Sequence, residues 1–287
     1  MGRLEKLVFR KLKSIVATKP YNYFTGVVAG IDRVLYFRSR NSGAMSHHPS
    51  HAESSIVSIV RRQGFYVWNN FLSAEVCKSL RENIDSILLQ HPDLVHPATL
   101  SDLRLHGIEN ICDDFKSIAA DKTLSNIANI YFNEPTRTAF ALGARLESSE
   151  LNLGSGGGWH RDSNFPQLKA MVYLSDVDEQ HGPFQLVSGS HRFMTAVSDN
   201  IIGRQMYGEV RWTGEKVERV LNKTNQERLK TFVGGAGTLI IFDSSTIHRG
   251  TPISEGRRYA VTNYFYPERL IDPLLYEHFS PVAGHAM

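Results

Sequence analysis

His160, Asp162 and the distant His248 have the donor types and order of a three-point ligand set for ferrous iron. Two neutral imidazoles and one carboxylate occupy one face of such an ion. The remaining positions stay open to a chelating cosubstrate and to dioxygen, as in the non-haem iron oxygenases. The pattern therefore points to an enzyme that oxidises its substrate with O2.

The spacing has a mechanical basis. Residues two apart on a strand share a face, so His160 and Asp162 can lean into one cavity. The run Gly154-Ser155-Gly156-Gly157-Gly158 before Trp159 lets the backbone turn sharply and approach the site. His248 must arrive from another strand, and the apolar run 237–243 followed by the turn Ser244-Ser245-Thr246 supplies one that ends just before it. Further on, Arg257-Arg258 opens a strand running to Phe265, and a guanidinium there can hold a carboxylate by two parallel hydrogen bonds. That suits a dicarboxylic cosubstrate such as 2-oxoglutarate. Counting in twos along the strand favours Arg258, which shares its face with Ala260 and Thr262, with Arg257 as the alternative. Lys169 and Gln185 are further candidates for contact with the cosubstrate, each on a strand where an inward or an outward direction is open.

These residues carry a resemblance to the phytanoyl-CoA dioxygenase family of Fe(II)/2-oxoglutarate oxygenases. The resemblance spans Gly64 to Ser73 with Glu75, Trp159-His160-Arg161-Asp162, Lys169 to Val177, and Gly182 to Arg192. It implies that His160, Asp162 and His248 bind iron, and that an arginine after His248 pairs with the distal carboxylate of 2-oxoglutarate. The reaction it implies is hydroxylation of an unactivated carbon, with release of succinate and CO2. Halogenating relatives carry Gly or Ala at the position of Asp162, so the carboxylate here favours hydroxylation, desaturation or ring formation. His191 also falls at a recurrent family position, where it reads as a structural turn residue. The competing reading from another class is a non-catalytic or differently metallated jelly-roll binding protein.

Strands at 168–177, 184–187, 238–243 and 258–265 alternate with turns rather than with long helices. A mostly β fold with flanking helices follows: a double-stranded β-helix, the cupin-like jelly roll. Phe65 to Trp68 reads as a strand. A helix capped by Ser73 runs towards Gln90, residues 93–116 look irregular, and residues 113–132 read as one helix. Residues 193–231 interrupt the strand series, and Glu215 to Thr231 has helical composition, so this segment reads as a partly helical lid over the barrel mouth.

The chain has 287 residues, 41% hydrophobic, enough for one sizeable catalytic domain at 55–287. Its net charge of +3 hides an asymmetry, because residues 1–40 hold nine Lys/Arg against two acids. Within them Leu4, Leu7, Val8, Leu12 and Ile15 recur at helical spacing beside Lys6, Arg10 and Lys13. Such a segment either packs on the catalytic domain or a second subunit, or lies on an anionic membrane surface. In the second case a lipid-linked substrate joins small molecules as a candidate, and the enzyme would sit at the inner face of a membrane. Residues 1–54 read as this basic segment plus a linker whose His47, His48 and His51 are solvated. Two cysteines, Cys77 and Cys112, without a CxxC or a secretion signal place the chain in the cytoplasm. A basic surplus confined to one tail argues against nucleic acid as a partner, and nothing in the sequence fixes an oligomeric state.

Overall fold

A computed structural model describes residues 49–271 apart from residue 100, residues 149–153 and residues 207–208. The amphipathic pattern of residues 4–15, and with it His47 and His48, lies outside the described residues. Helix α1 (His51–Gln63) starts on Ser50 through a reciprocal capping box with Glu53 and stops where Gly64 turns left-handed at φ 94°. Residues 51–54, expected to belong to the linker, are helical, because the cap outweighs their polar composition.

Strand β1 (Phe65–Trp68) and helix α2 (Ala74–Gln90), capped by Ser73, follow as the sequence implies. The stretch thought irregular instead contains strands β2 (His96–Thr99) and β3 (Asp102–His106). The single helix expected over 113–132 is two, α3 (Asp113–Ala119) and α4 (Lys122–Phe132). Asp121 breaks them apart by accepting from the Leu124 amide at 2.8 Å as a new N-cap. Then come β4 (Thr136–Glu147), β5 (Leu168–Tyr173), β6 (Phe184–Val187), α5 (Phe193–Gly203), α6 (Gly214–Lys223), β7 (Leu229–Phe232), β8 (Leu239–Asp243), β9 (His248–Gly250) and β10 (Arg257–Pro267).

The strands form two sheets, an antiparallel seven-stranded one in the order β1-β8-β5-β10-β4-β3-β2 and a smaller one in the order β7-β6-β9. This is the double-stranded β-helix. Period-two alternation divides the large sheet's two faces. Ala170, Val172, Ile241, Val261 and Phe265 face out into a core with Leu80, Ile84, Leu124, Ile127 and Phe132 of the helices. Met171, Tyr173, Ile240, Phe242 and Ala260 face inward against Phe184, Leu186 and Phe232 of the small sheet. Among the described residues no helix is long and apolar enough to cross a membrane.

One contact ties the helical layer to the strand ends that build the site. Tyr131 on α4 donates its hydroxyl to Asp243 at 2.5 Å, and the fully buried Asp243 carboxylate also accepts from the amides of Ser245 at 2.8 Å and Gln167 at 3.2 Å. It thereby shapes the turn that delivers His248. Hydrogen bonds to charged groups are worth about 1.5–3 kcal/mol, so Tyr131→Phe should destabilise the protein by about 2 kcal/mol in urea titration while leaving its secondary structure intact.

Candidate active site

His160 and His248 are joined by reciprocal backbone hydrogen bonds, His160 N to His248 O at 2.9 Å and His248 N to His160 O at 2.8 Å. The pairing extends the small sheet beyond β9, and on its far side His160 bridges to Arg211. The two imidazoles consequently stand side by side with centroids 4.3 Å apart. Each ring is oriented by a carbonyl, which can only accept. His160 Nδ1 donates to Gly158 O at 2.8 Å and His248 Nδ1 to Thr246 O at 2.9 Å, leaving both Nε2 lone pairs for a metal.

Asp162 completes the group. Its oxygens lie 3.4 Å from His160 Nε2 and 3.8 Å from His248 Nε2, and one ligand atom from each residue falls within 4.8 Å of the others. Gly156 is required for this arrangement, since at φ 81° an added Cβ would come within 2.3 Å of the His160 ring. Gly154 allows an equally close pass, its Cβ position lying 2.0 Å from Gly250 O. Trp159 points away from the ligands and packs under the Arg249 guanidinium at 4.4 Å.

The space between the sheets is a cavity of about 110 Å³, lined by the three ligand residues and by Arg104, Ser155, Lys169, Met171, Arg258, Thr262 and Tyr264 among others. Lys169 projects from β5 to within 2.5 Å of Asp162 Oδ2 and lies over the Tyr264 ring at 3.9 Å. Its inward direction follows the alternation, and its partner is the aspartate. Burial alone would raise the Asp162 pKa, but the Lys169 ammonium and the two imidazoles outweigh it and hold the carboxyl well below its ordinary range. Burial likewise opposes charge on Lys169, and Asp162 more than compensates. At His248 the opposing influence of Asp162 is too weak: burial, then the neighbouring His160, bring its pKa down to about 3, so it is neutral and ready to ligate.

Arg258 is 3% exposed, and its Nε and Nη1 find no hydrogen-bond partner among the described residues. A buried donor group without an acceptor is costly, by about 1–3 kcal/mol per lost bond and more where charge is involved. The geometry suits the distal carboxylate of 2-oxoglutarate, and the His/Asp/His donor set suits Fe(II). Arg257, the alternative, points to the opposite face, is about half exposed and pairs with Glu147 at 3.1 Å. Gln185 is likewise outside the cavity. It faces outward from β6, where it bonds Thr231 and Arg249 at 2.9 Å each, because inward positions on that strand go to Phe184 and Leu186. His191 is remote from the metal ligands, with Nε2 3.1 Å from Arg61 O.

Arg104 and Tyr264 line the cavity without having been singled out from the sequence. Arg104 was hidden because Pro97 and Gly107 make its surroundings look like loop, although Leu103-Arg104-Leu105 has the alternation of a strand. Tyr264 was visible only as part of an aromatic strand end.

The sequence profile of the phytanoyl-CoA dioxygenase family matches residues 60–260. The chain belongs to that family. Among curated relatives, the ectoine dioxygenase of Bordetella parapertussis is 22% identical over 253 aligned residues, covering 78% of this chain and 76% of the relative. The L-proline trans-4-hydroxylase of Streptomyces griseoviridis is 24% identical over 223 residues, covering 70% and 81%. Among solved structures, EctD from S. alaskensis with 2-oxoglutarate and 5-hydroxyectoine superposes with a TM-score of 0.57 at 17% identity, over 78% of this chain and 79% of that one. The epimerase SnoN with Fe3+, α-ketoglutarate and a nogalamycin superposes with a TM-score of 0.56 at 18% identity, over 75% and 83%. These likenesses establish a shared fold. For this member of the phytanoyl-CoA dioxygenase family the cofactor is iron, with 2-oxoglutarate and O2 as cosubstrates, and His160, Asp162 and His248 have the donor chemistry that the metal requires.

Two outcomes follow from the charges in the cavity. Asp162→Ala strands the Lys169 ammonium and should destabilise the metal-free protein by about 3 kcal/mol, whereas the double variant Asp162→Ala/Lys169→Met should recover most of that in urea titration. Because the His248 pKa is depressed to about 3 from 6.5, the unfolded chain binds the extra proton first. Metal-free protein should therefore lose stability as pH falls from about 6.5 towards 3, and His248→Asn should flatten that slope in thermal melts across the range.

Proposed function

We propose that the protein hydroxylates an unactivated carbon of a small-molecule substrate, using Fe(II) on His160, Asp162 and His248 and the oxidative decarboxylation of 2-oxoglutarate to succinate and CO2. The observation that carries this reading is Arg258, a buried guanidinium whose Nε and Nη1 have no acceptor among the described residues, beside the His/Asp/His group. A metal-binding jelly roll without turnover has no use for it. Bound iron would supply the activation of O2 and the oxidising power for C–H cleavage.

The chain's own residues bind, orient and exclude. Arg258 fixes the far carboxylate of the cosubstrate. Lys169 holds Asp162 ionised and in position, and the carbonyls of Gly158 and Thr246 keep both imidazoles in the ligating tautomer. Inward-facing Met171, Phe184, Phe242 and Leu142 form apolar walls that keep water from the reacting carbon.

Residues 193–231 act as the lid in this reading, supported by the hydrogen bonds that dock it beside the ligand strand, Arg161 N to Val210 O and Trp212 N to Trp159 O at 2.8 Å each. The catalytic domain then runs from α1 onward. Relatives named for ectoine and L-proline favour a small, soluble substrate over a lipid-linked one. Membrane contact rests on residues 1–40 alone, which lie outside the described part. The free thiols of Cys77 and Cys112 fit a reducing compartment, and the cytoplasm is the location we assign.

Anaerobic addition of Fe(II) and then 2-oxoglutarate should give the weak visible charge-transfer band of a bidentate chelate. Arg258→Ala should weaken 2-oxoglutarate binding by about 30-fold or more, equivalent to ~2 kcal/mol, whereas Arg257→Ala leaves it unchanged. A wild-type protein that binds the metal without ever developing the band would refute the assignment.

A further inference from the structure

Arg104 is the second guanidinium in the cavity, and nothing in the iron and 2-oxoglutarate chemistry uses it. Its Nε and Nη2 bind Asp102 in a fork, at 3.0 and 2.6 Å, and Nη2 also comes within 3.5 Å of Ser155 Oγ. Asp102 is almost fully buried, so this fork holds the guanidinium in one orientation. Nη1 has no acceptor among the described residues, and the side chain lines the same cavity as the metal ligands.

The register shows where Arg104 stands relative to Arg258. On the large sheet Arg104 pairs with Ala144, and Ala144 with Ala260. Arg258 lies two residues before Ala260 on β10, on the same inward face, with β4 between it and β3. Strands are about 4.8 Å apart and each residue advances about 3.4 Å, so the two arginines are anchored on the backbone roughly 12 Å from one another and enter the cavity from different strands. Ala144 and Ala260 carry the smallest side chains that keep a Cβ, and they leave the floor between the two arginines open.

Charge bookkeeping gives the sign and size of what fits. The cavity holds three fixed cations, Arg104, Lys169 and Arg258, against the two carboxylates Asp102 and Asp162. Fe(II) and the dianion of 2-oxoglutarate cancel each other, so one positive charge remains after both are bound. In a low-dielectric cavity such an excess strongly favours a ligand of opposite charge.

We propose that Arg104 is a specificity residue that receives a carboxylate of the substrate through Nη1, and that the protein's substrate is a small molecule carrying one such group. The inference rests on the iron and 2-oxoglutarate reading above and adds the substrate class to it. The carboxylate fixes one end of the molecule at β3, and the carbon to be oxidised extends across the alanine floor towards the ligands on the facing sheet.

The test uses protein loaded anaerobically with Fe(II) and 2-oxoglutarate and follows the perturbation of the charge-transfer band by matched acid and amide pairs on alkyl, amino-acid and cyclic imino-acid frames, L-proline and L-prolinamide among them. Acids should perturb the band at concentrations at least tenfold lower than their amides. R104Q should erase that difference while its band titrates with 2-oxoglutarate as in the wild type. D102N/R104Q, which removes both members of the buried pair, should behave as R104Q does, and it covers the case in which the single variant fails to fold. Equal response to acids and amides, no response to any acid, or an acid preference that survives in both variants overturns the proposal. So does a weakened 2-oxoglutarate titration in R104Q, which would assign Arg104 to the cosubstrate. Failure of the underlying reading is distinguishable, because the wild type would then show no band before any acid is added.

Discussion

The reciprocal backbone hydrogen bonds between His160 and His248 are the constraint from which the rest of the site follows. They convert two residues 88 positions apart into neighbours on one sheet and set the distance between the rings before any side chain acts. Asp162 then needs only the two-residue step of its own segment to reach the same point, and Ser244 O accepts from its amide at 3.0 Å to hold it there. Side-chain hydrogen bonds to Gly158 and Thr246 refine what the backbone has already decided. This division of labour suits a metal site, because backbone pairing in a sheet is stiffer than any arrangement of free rotamers.

The cavity is electrostatically loaded. Lys169 and Arg258 are both buried, yet they solve the problem in opposite ways. Lys169 has its counter-ion within the protein, and through it keeps a metal ligand charged. Arg258 has no acceptor for its Nε and Nη1 among the described residues, so the cost of its burial stands unrelieved there. The first arrangement supports the site in the metal-free state; in the second, binding of an anion would relieve an existing cost. The apolar face of the large sheet, packed against α1 to α4, provides the stability that carries such local strain.

Much of this was legible in the sequence. Glycines at 154 and 156–158 before Trp159, the ligand spacing, and the alternation that sends Arg258 inward and Arg257 outward are all local patterns, and local periodicity is what a sequence displays. The boundaries of the jelly-roll strands β1, β6, β8 and β10 were close for the same reason, whereas β5 stops at Tyr173, four residues short of the expected end. What was hidden depends on tertiary partners. Strands β2 and β3 pair at the sheet's edge and are short, with Pro97 and Gly107 nearby, so their composition resembles loop. The division between α3 and α4 turns on a single capping contact at Asp121. Gln185 had even odds of facing inward, and only the packing of Phe184 and Leu186 against the large sheet decided it. Lys169 was visible as a polar residue in a core strand, but its pairing with Asp162 requires the two sheets to be face to face.

The segment between β6 and β7 is fastened at its middle as well as at its ends. Residues 210–212 pair antiparallel with Trp159 to Arg161 through one isolated bridge, and Arg228 grips the fully buried Asp199 of α5 through a two-pronged ion pair at 2.6 and 2.9 Å. It cannot swing away as a rigid flap without tearing hydrogen bonds from the segment that carries His160. Displacing the segment as one body would therefore also disturb the backbone pairing that fixes His160. The position of this segment and the geometry of the His/Asp/His group are set by the same few hydrogen bonds, so a variant engineered to loosen the one would trade directly against the order of the other.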